Sequence, residues 1–203
     1  MESVKIPAKQ ITGEMSYREY RDMTDALLSE GKTTGTNHSE MMVNYTKMNV
    51  TRMKRIDKHV ALNNELAAFA ATLEKPQKWT VLTEAWCGDA AQIVPIFNKV
   101  AEASNGKIKL VFLLRDLHEE LMNKHLTNGG KSIPKLIVTD LESGEELFTW
   151  GPRPAHAQKV FNELKESNAD FEELSTKLHK WYADDKTLHT QEELLRNIML
   201  FTL

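Results

Sequence analysis

The chain has 203 residues, of which 41% are hydrophobic and 27% charged, and its formal net charge is −3. This length favours a single globular domain with additions, and the negative charge argues against a nucleic-acid-binding protein. No apolar run approaches the roughly 20 residues of a membrane span, and the opening MESVKIPAKQ has no signal-peptide core, so we expect a cytoplasmic protein without a membrane partner.

The N-terminal part, about residues 14–75, is predicted to be helical. Ser16 and Glu19 have the spacing of a capping box, in which each side chain accepts a backbone N–H of the other residue. Apolar residues at helical spacing follow from Tyr17 to Ser29, so the first helix is expected there.

A second helical stretch follows a Gly- and Thr-rich break. Asn37 and Glu40 give its cap signal, and apolar residues recur every three to five positions from Met42 to Leu73. This stripe predicts one long helix or two in succession, because the two asparagines at 63–64 can interrupt it. Pro76 ends the helical region.

The hydrophobic pattern then changes to alternating strands and helices. The predicted order is strand 79–86, helix 87–103, strand 108–114, short helix 117–126, strand 135–139, strand 146–150 and helix 155–167. The first strand–helix–strand unit predicts a parallel pair with a right-handed crossover. The turn sequence ESGE predicts that the last two strands form an antiparallel hairpin.

Two further helices are predicted in the C-terminal tail. Asp170 with Glu173, and Thr190 with Glu193, repeat the capping spacing. One apolar face of the first tail helix is formed by Phe171, Leu174, Leu178, Trp181 and Tyr182.

A single cysteine, Cys87, limits the chemistry of the chain. One cysteine excludes intramolecular disulfides and cysteine-rich zinc or iron–sulfur sites within one chain. It lies where strand 79–86 meets the next helix, and the N–H groups and dipole of a helix N-terminus favour a thiolate. The position therefore predicts a reactive thiol, and a small buried core residue is the alternative.

Five features around this cysteine occur in a fixed order. They are Trp-Cys-Gly-Asp-Ala at 86–90, Pro95 eight residues after the cysteine, Ser-Ile-Pro-Lys-Leu at 132–136, the hairpin turn at 143–145, and Gly151 after the last strand. Together they resemble the thioredoxins, in which Trp-Cys-Gly-x-Cys opens a helix and faces a loop with a cis-proline.

The resemblance covers about residues 78–168 and implies an α/β, thioredoxin-like fold, with a central mixed sheet flanked by helices. The flanking segments add extra helices at both ends. We therefore expect three parts: a helical N-terminal extension (1–76) packing on the core, the thioredoxin-like core (77–168) and a C-terminal helical extension (169–203).

The resemblance also implies roles for individual residues. Cys87 would be the attacking thiolate, and Trp86 and Gly88 would shape the rim beside it. Ile133 would pair its backbone with an extended substrate by strand addition, next to Pro134 after a cis peptide bond.

Three departures from the family pattern limit this expectation. Ala90 replaces the second cysteine, so the dithiol cycle cannot operate, and Val81 replaces a buried acid. Asp89 stands beside Cys87, where its charge opposes a thiolate, although an acid also suits a first helical turn. Arg153, near the expected rim, is a candidate partner for an anionic substrate or for Asp89.

The leading hypothesis is single-thiol chemistry: Cys87 exchanges with a protein or low-molecular-weight disulfide, and an external thiol resolves the intermediate, as in monothiol glutaredoxins. Oxidation to a sulfenic acid is a variant of it. The alternative is a redox-inactive thioredoxin-like binding module, and a third option is a cluster bridged between two chains.

Other signals are weak. His118 and His125 do not have the spacing of a chelating pair, and Asp57 interrupts the basic cluster that begins at Arg52, so neither a metal site nor a nucleic-acid site is predicted. The chain has no nucleotide-binding or hydrolase motif, and we expect no cofactor.

Overall fold

The computed structural model describes residues 13–202, so the first twelve residues of the predicted N-terminal extension lie outside it. Its helices are α1 (Tyr17–Ser29), α2 (Glu40–His59), α3 (Asn64–Ala71), α4 (Gly88–Ala103), α5 (Glu119–Lys124), α6 (Ala155–Glu166), α7 (Phe171–Asp185) and α8 (Leu188–Thr202). Its strands are β1 (Gln77–Thr83), β2 (Ile108–Leu114), β3 (Lys135–Asp140) and β4 (Glu146–Trp150).

The strands form one mixed sheet in the order β2–β1–β3–β4. β1 pairs with β2 in parallel and with β3 antiparallel, and β4 forms an antiparallel hairpin with β3. The predicted parallel pair and hairpin are confirmed. β1 ends at Thr83, earlier than predicted, because the chain leaves the sheet at Glu84, whose carbonyl accepts the Cys87 N–H (3.0 Å).

The core lies between this sheet and α4. Trp79, Val81 and Leu82 of β1 are fully buried, as are Ile93 and Phe97 of α4. The ring of Phe97 meets Trp79 edge to face, with centroids 6.2 Å apart. With helices flanking a mixed sheet and further helices at both ends, the predicted α/β class is confirmed.

The local signals of the N-terminal helices had mixed outcomes. The capping box is present, because the Glu19 N–H donates to Ser16 Oγ (3.3 Å) and the Ser16 N–H donates to Glu19 Oε2 (2.7 Å). The long stripe is two helices, and Asn63 caps the second by accepting the Leu66 N–H. The prediction for Asn37 was wrong: Ser39 directly precedes α2, and Asn37 Oδ1 accepts the Ser39 N–H outside the helix.

Of the two cap predictions in the C-terminal tail, one is confirmed and the other was wrong. Asp170 caps α7 by accepting the Glu173 N–H (2.8 Å), as predicted. Thr190 does not cap α8, because the helix already begins at Leu188 and Thr190 is buried in its first turn.

Helices from both ends of the chain pack against α4. α2 and α3 lie along α4, and α7 contacts both α4 and α6. Helices that are far apart in sequence therefore meet at α4. Among residues 13–202, no helix combines the length and apolar character that a membrane crossing requires.

Candidate functional site

Cys87 lies at the N-terminus of α4, where the sequence places it. It is the N-cap residue, and its Sγ accepts the Ala90 N–H at 3.4 Å. The peptide bond between Ile133 and Pro134 is cis. The Ile133 carbonyl oxygen lies 3.2 Å from Sγ and accepts the thiol proton. The sulfur is thus held between a helix N–H donor and a loop carbonyl acceptor.

The expected lowering of the Cys87 pKa was wrong. Only 7% of Cys87 is exposed, and burial raises the pKa of its thiol to about 12, with the charge of Asp89 acting in the same direction. The hydrogen bond from the Ala90 N–H lowers the pKa, but by less than burial raises it. Removing a thiolate from water costs more free energy than one helix N–H contributes to stabilising it. At neutral pH the sulfur is therefore a protonated hydrogen-bond donor.

Arg153 binds Asp89, one of the two partners expected for it from the sequence. Arg153 Nε and Nη2 donate to the two Asp89 oxygens at 3.1 and 2.5 Å, and the Tyr182 hydroxyl donates to Oδ1 at 2.7 Å. Both charged side chains are only 10% exposed. The hydrogen bonds of Asp89 to Arg153 and Tyr182 thus connect α4 with the loop after β4 and with α7.

A pocket of about 350 Å³ opens above Cys87. All the predicted site residues line it except Pro134, which is buried; the lining ones are Trp86, Cys87, Gly88, Asp89, Ile133 and Arg153. The segments directly after β2 and before β3 add Arg115, Lys131 and Ser132. The helices α2, α6 and α7 contribute Met42, Tyr45, Phe161, Phe171, Leu174, Ser175, Leu178 and His179.

The helices α2 and α7 supply the roof of this pocket. The Tyr45 hydroxyl of α2 lies 2.8 Å from His179 Nε2 and 2.9 Å from Ser175 Oγ, both on α7. The Gln92 amide nitrogen of α4 lies 3.1 Å from His179 Nδ1. The sequence analysis did not identify Tyr45, Gln92, Ser175 or His179 as site residues. The sequence showed only that they belong to helices with an apolar face.

Gly88 has no space for a side chain. A Cβ at this position would lie 2.7 Å from both His179 Nε2 and the Tyr45 hydroxyl. A glycine after the cysteine thus lets α2 and α7 approach the start of α4 closely.

His179 is held neutral. Burial lowers the pKa of its imidazole from 6.5 to about 4, and the nearby charge of Arg52 contributes to the decrease. The hydrogen bonds agree, because the Gln92 amide donates to Nδ1, and Nε2–H donates to Tyr45. A proton on Nδ1 would make it a second donor facing the N–H of the Gln92 amide, and the hydrogen bond between them would be lost.

This lowered pKa predicts acid sensitivity of the fold. Below pH 6.5 His179 is protonated in the unfolded chain but stays neutral in the folded chain. The free energy of unfolding should therefore fall as the pH decreases from about 6.5 to about 4. The full effect of this residue is about 3 kcal/mol. It is measured by urea unfolding at several pH values across this window.

In that experiment His179→Gln should flatten the pH profile, because glutamine does not titrate. The matched control is His59→Gln at the exposed end of α2, which should retain the wild-type slope. A His179→Gln profile as steep as the wild type would show that His179 is not the neutral group.

His118 Nδ1 and His125 Nδ1 bond the carbonyls of Leu114 and Leu121, four residues earlier. Within residues 13–202, no three His, Cys, Asp or Glu side chains gather as a metal site would require.

Comparisons with known proteins show fold likeness. The family model described as Thioredoxin matches residues 35–166, well over half of the chain. A crystal structure of a Pseudomonas aeruginosa protein of unknown function is 16% identical, with a TM-score of 0.56, and the match covers 91% of this chain and 98% of that one. An HIV epitope-scaffold is 19% identical with a TM-score of 0.52 and the same coverage. No curated protein matches the chain.

Proposed function

Since this chain belongs to the thioredoxin family, we propose that it keeps the family's active-site position as a ligand-binding pocket and carries out no thiol–disulfide exchange. The binding site is the pocket above Cys87, which α2 and α7 cover. This was the alternative from the sequence, and the state of the sulfur now makes it the leading hypothesis.

One contact carries this proposal: the thiol of Cys87 donates to the Ile133 carbonyl at 3.2 Å. A thiolate has no proton to donate, so this bond favours the protonated form, as burial does. The nucleophile in exchange reactions is the thiolate. Cys87 is also the only cysteine in the chain, so no second thiol can release a trapped substrate.

The pocket itself supports binding. Its volume of about 350 Å³ falls within the range of small-molecule sites, roughly 300–1,000 Å³, and its lining is mostly apolar and aromatic. Hydrogen bonds between α2 and α7 hold the roof without involving the sulfur. A ligand can thus be held there while Cys87 serves only as part of the floor.

Thiol reactivity tests this proposal. Iodoacetamide should alkylate native Cys87 at pH 8 at least about 100-fold more slowly than the same cysteine in urea, because a thiol of pKa about 12 is only roughly 10⁻⁴ ionised there. Intact mass after incubation with hydroxyethyl disulfide should show no adduct on the native chain. The unfolded chain is the control, and alkylation at similar rates in both states would refute the proposal.

Monothiol exchange is the second candidate, because Cys87 lines the pocket and a bound disulfide would reach it. The thiol would lose its proton, Sγ would attack one sulfur of the disulfide, and the other would leave as a thiolate. A free external thiol would then attack the mixed disulfide and regenerate Cys87. A stable adduct of one half of hydroxyethyl disulfide on native Cys87, absent from Cys87→Ser, would favour this candidate.

A further inference from the structure

The lining of the pocket above Cys87 combines cationic and apolar residues. Arg115, directly after β2, lies over the Trp86 ring, with its guanidinium carbon 4.9 Å from the ring centroid, and donates to the Lys131 carbonyl at 3.2 Å. Phe171 of α7 packs against Tyr45 of α2 with centroids 5.8 Å apart. The loops next to the sheet therefore supply Arg115 and Lys131, and the helices supply most of the apolar contact area.

The charges inside the pocket are unbalanced. Its lining holds three permanent cations, Arg115, Lys131 and Arg153, and one acid, Asp89. Arg153 and Asp89 neutralise each other in a buried pair. The other two cations, Arg115 and Lys131, have no acid partner within the pocket lining.

The acids that now pair with these two cations lie outside the pocket lining. Asp116 Oδ1 is 2.8 Å from Arg115 Nη2, and Glu119 Oε1 is 2.6 Å from Lys131 Nζ. The side chains of Asp116 and Glu119 are 43% and 66% exposed, respectively. Exposed ion pairs contribute little free energy, so an anion entering the pocket can replace Glu119 at low cost.

From these contacts we infer that the ligand is a small anion with an apolar body, of the class of a medium-chain or aryl carboxylate. The carboxylate lies between Arg115 and Lys131, and the apolar body lies against Phe161, Phe171 and Leu174. This inference rests on the proposed binding function and specifies its ligand class.

The test uses three ligands with the same chain and different heads: octanoate, 1-octanol and octylamine. Each is titrated into the full chain at pH 7, with affinity taken from calorimetry and the site from amide NMR shifts. Octanoate should bind about tenfold more tightly than octanol, because its head gains charge-assisted hydrogen bonds, and octylamine should bind most weakly.

Variants locate the two ends of the ligand. Lys131→Gln, on a half-exposed side chain, should reduce octanoate affinity about fivefold and leave octanol affinity unchanged. The matched control is Lys159→Gln on α6, outside the pocket, which should change neither. Leu174→Trp should fill the apolar side and abolish binding of both ligands.

Equal affinities for octanoate and octanol, or equal effects of Lys131→Gln and Lys159→Gln, would overturn the anion preference while leaving a binding function intact. Absence of shifts at the pocket with all three ligands would overturn the inference. The proposed function fails separately, through the alkylation and disulfide experiments on Cys87.

Discussion

Replacing Arg153 by methionine is expected to lower the free energy of unfolding by about 3–5 kcal/mol, because it leaves the carboxylate of Asp89 buried without its cation. The two side chains are each 10% exposed and joined by two hydrogen bonds. The remaining donor to Asp89, the Tyr182 hydroxyl, is neutral and cannot balance the charge. Urea unfolding of the wild type and the variant at pH 7 measures the loss.

The control for this prediction is the double variant Asp89→Asn with Arg153→Met. It removes both charges, so it should be more stable than Arg153→Met alone. Arg196→Met, on the exposed face of α8, should cost less than about 0.5 kcal/mol. If Arg153→Met costs as little as Arg196→Met, the pair is open to water and does not hold the site together.

This network explains why an acid stands beside the only cysteine. From the sequence, Asp89 was a charge that opposes a thiolate or a residue suited to a helix N-terminus. In the structure it anchors Arg153 from the loop after β4 and Tyr182 from α7. Both contacts fix the segments around the pocket, so we interpret Asp89 as a residue that positions the pocket wall.

The sequence predicted the parts of the site whose signals are local. The position of Cys87 at the start of α4 follows from a strand-to-helix change within a few residues, and the capping of α1 and α7 follows from spacings of three residues. Such signals depend on backbone geometry that neighbours in the chain determine. They fail where two polar residues compete, as Ser39 and Asn37 do before α2.

The rest of the site depends on contacts between distant segments. Asp89 and Arg153 are 64 positions apart, and Tyr45 and His179 are 134 positions apart. No periodicity in one segment indicates which polar side chain on another helix will meet it. The wrong prediction for the Cys87 pKa has the same origin, since the helix N-terminus is visible in the sequence but the burial that outweighs it is not.

Gly151→Ala is the second substitution with a large expected effect, because two costs act at one position. Gly151 has φ of +112°, which residues with a side chain rarely adopt, and its backbone approaches the Pro134 carbonyl so closely that a Cβ would overlap the oxygen. Backbone strain costs about 1–3 kcal/mol and overpacking against backbone about as much. Urea unfolding should show a loss of about 3 kcal/mol or more.

Gly144→Ala separates these two costs. Gly144 also has positive φ, +74°, but nothing lies within 4 Å of a Cβ built there, so only the backbone cost of about 1 kcal/mol applies. In Gly151→Ala the Pro134 carbonyl must move, and it is adjacent to the Ile133 carbonyl that accepts the Cys87 proton. We therefore expect Cys87 to be alkylated faster in this variant than in the wild type. Equal losses of stability for the two variants, with unchanged alkylation, would show that Gly151 does not support the loop facing the sulfur.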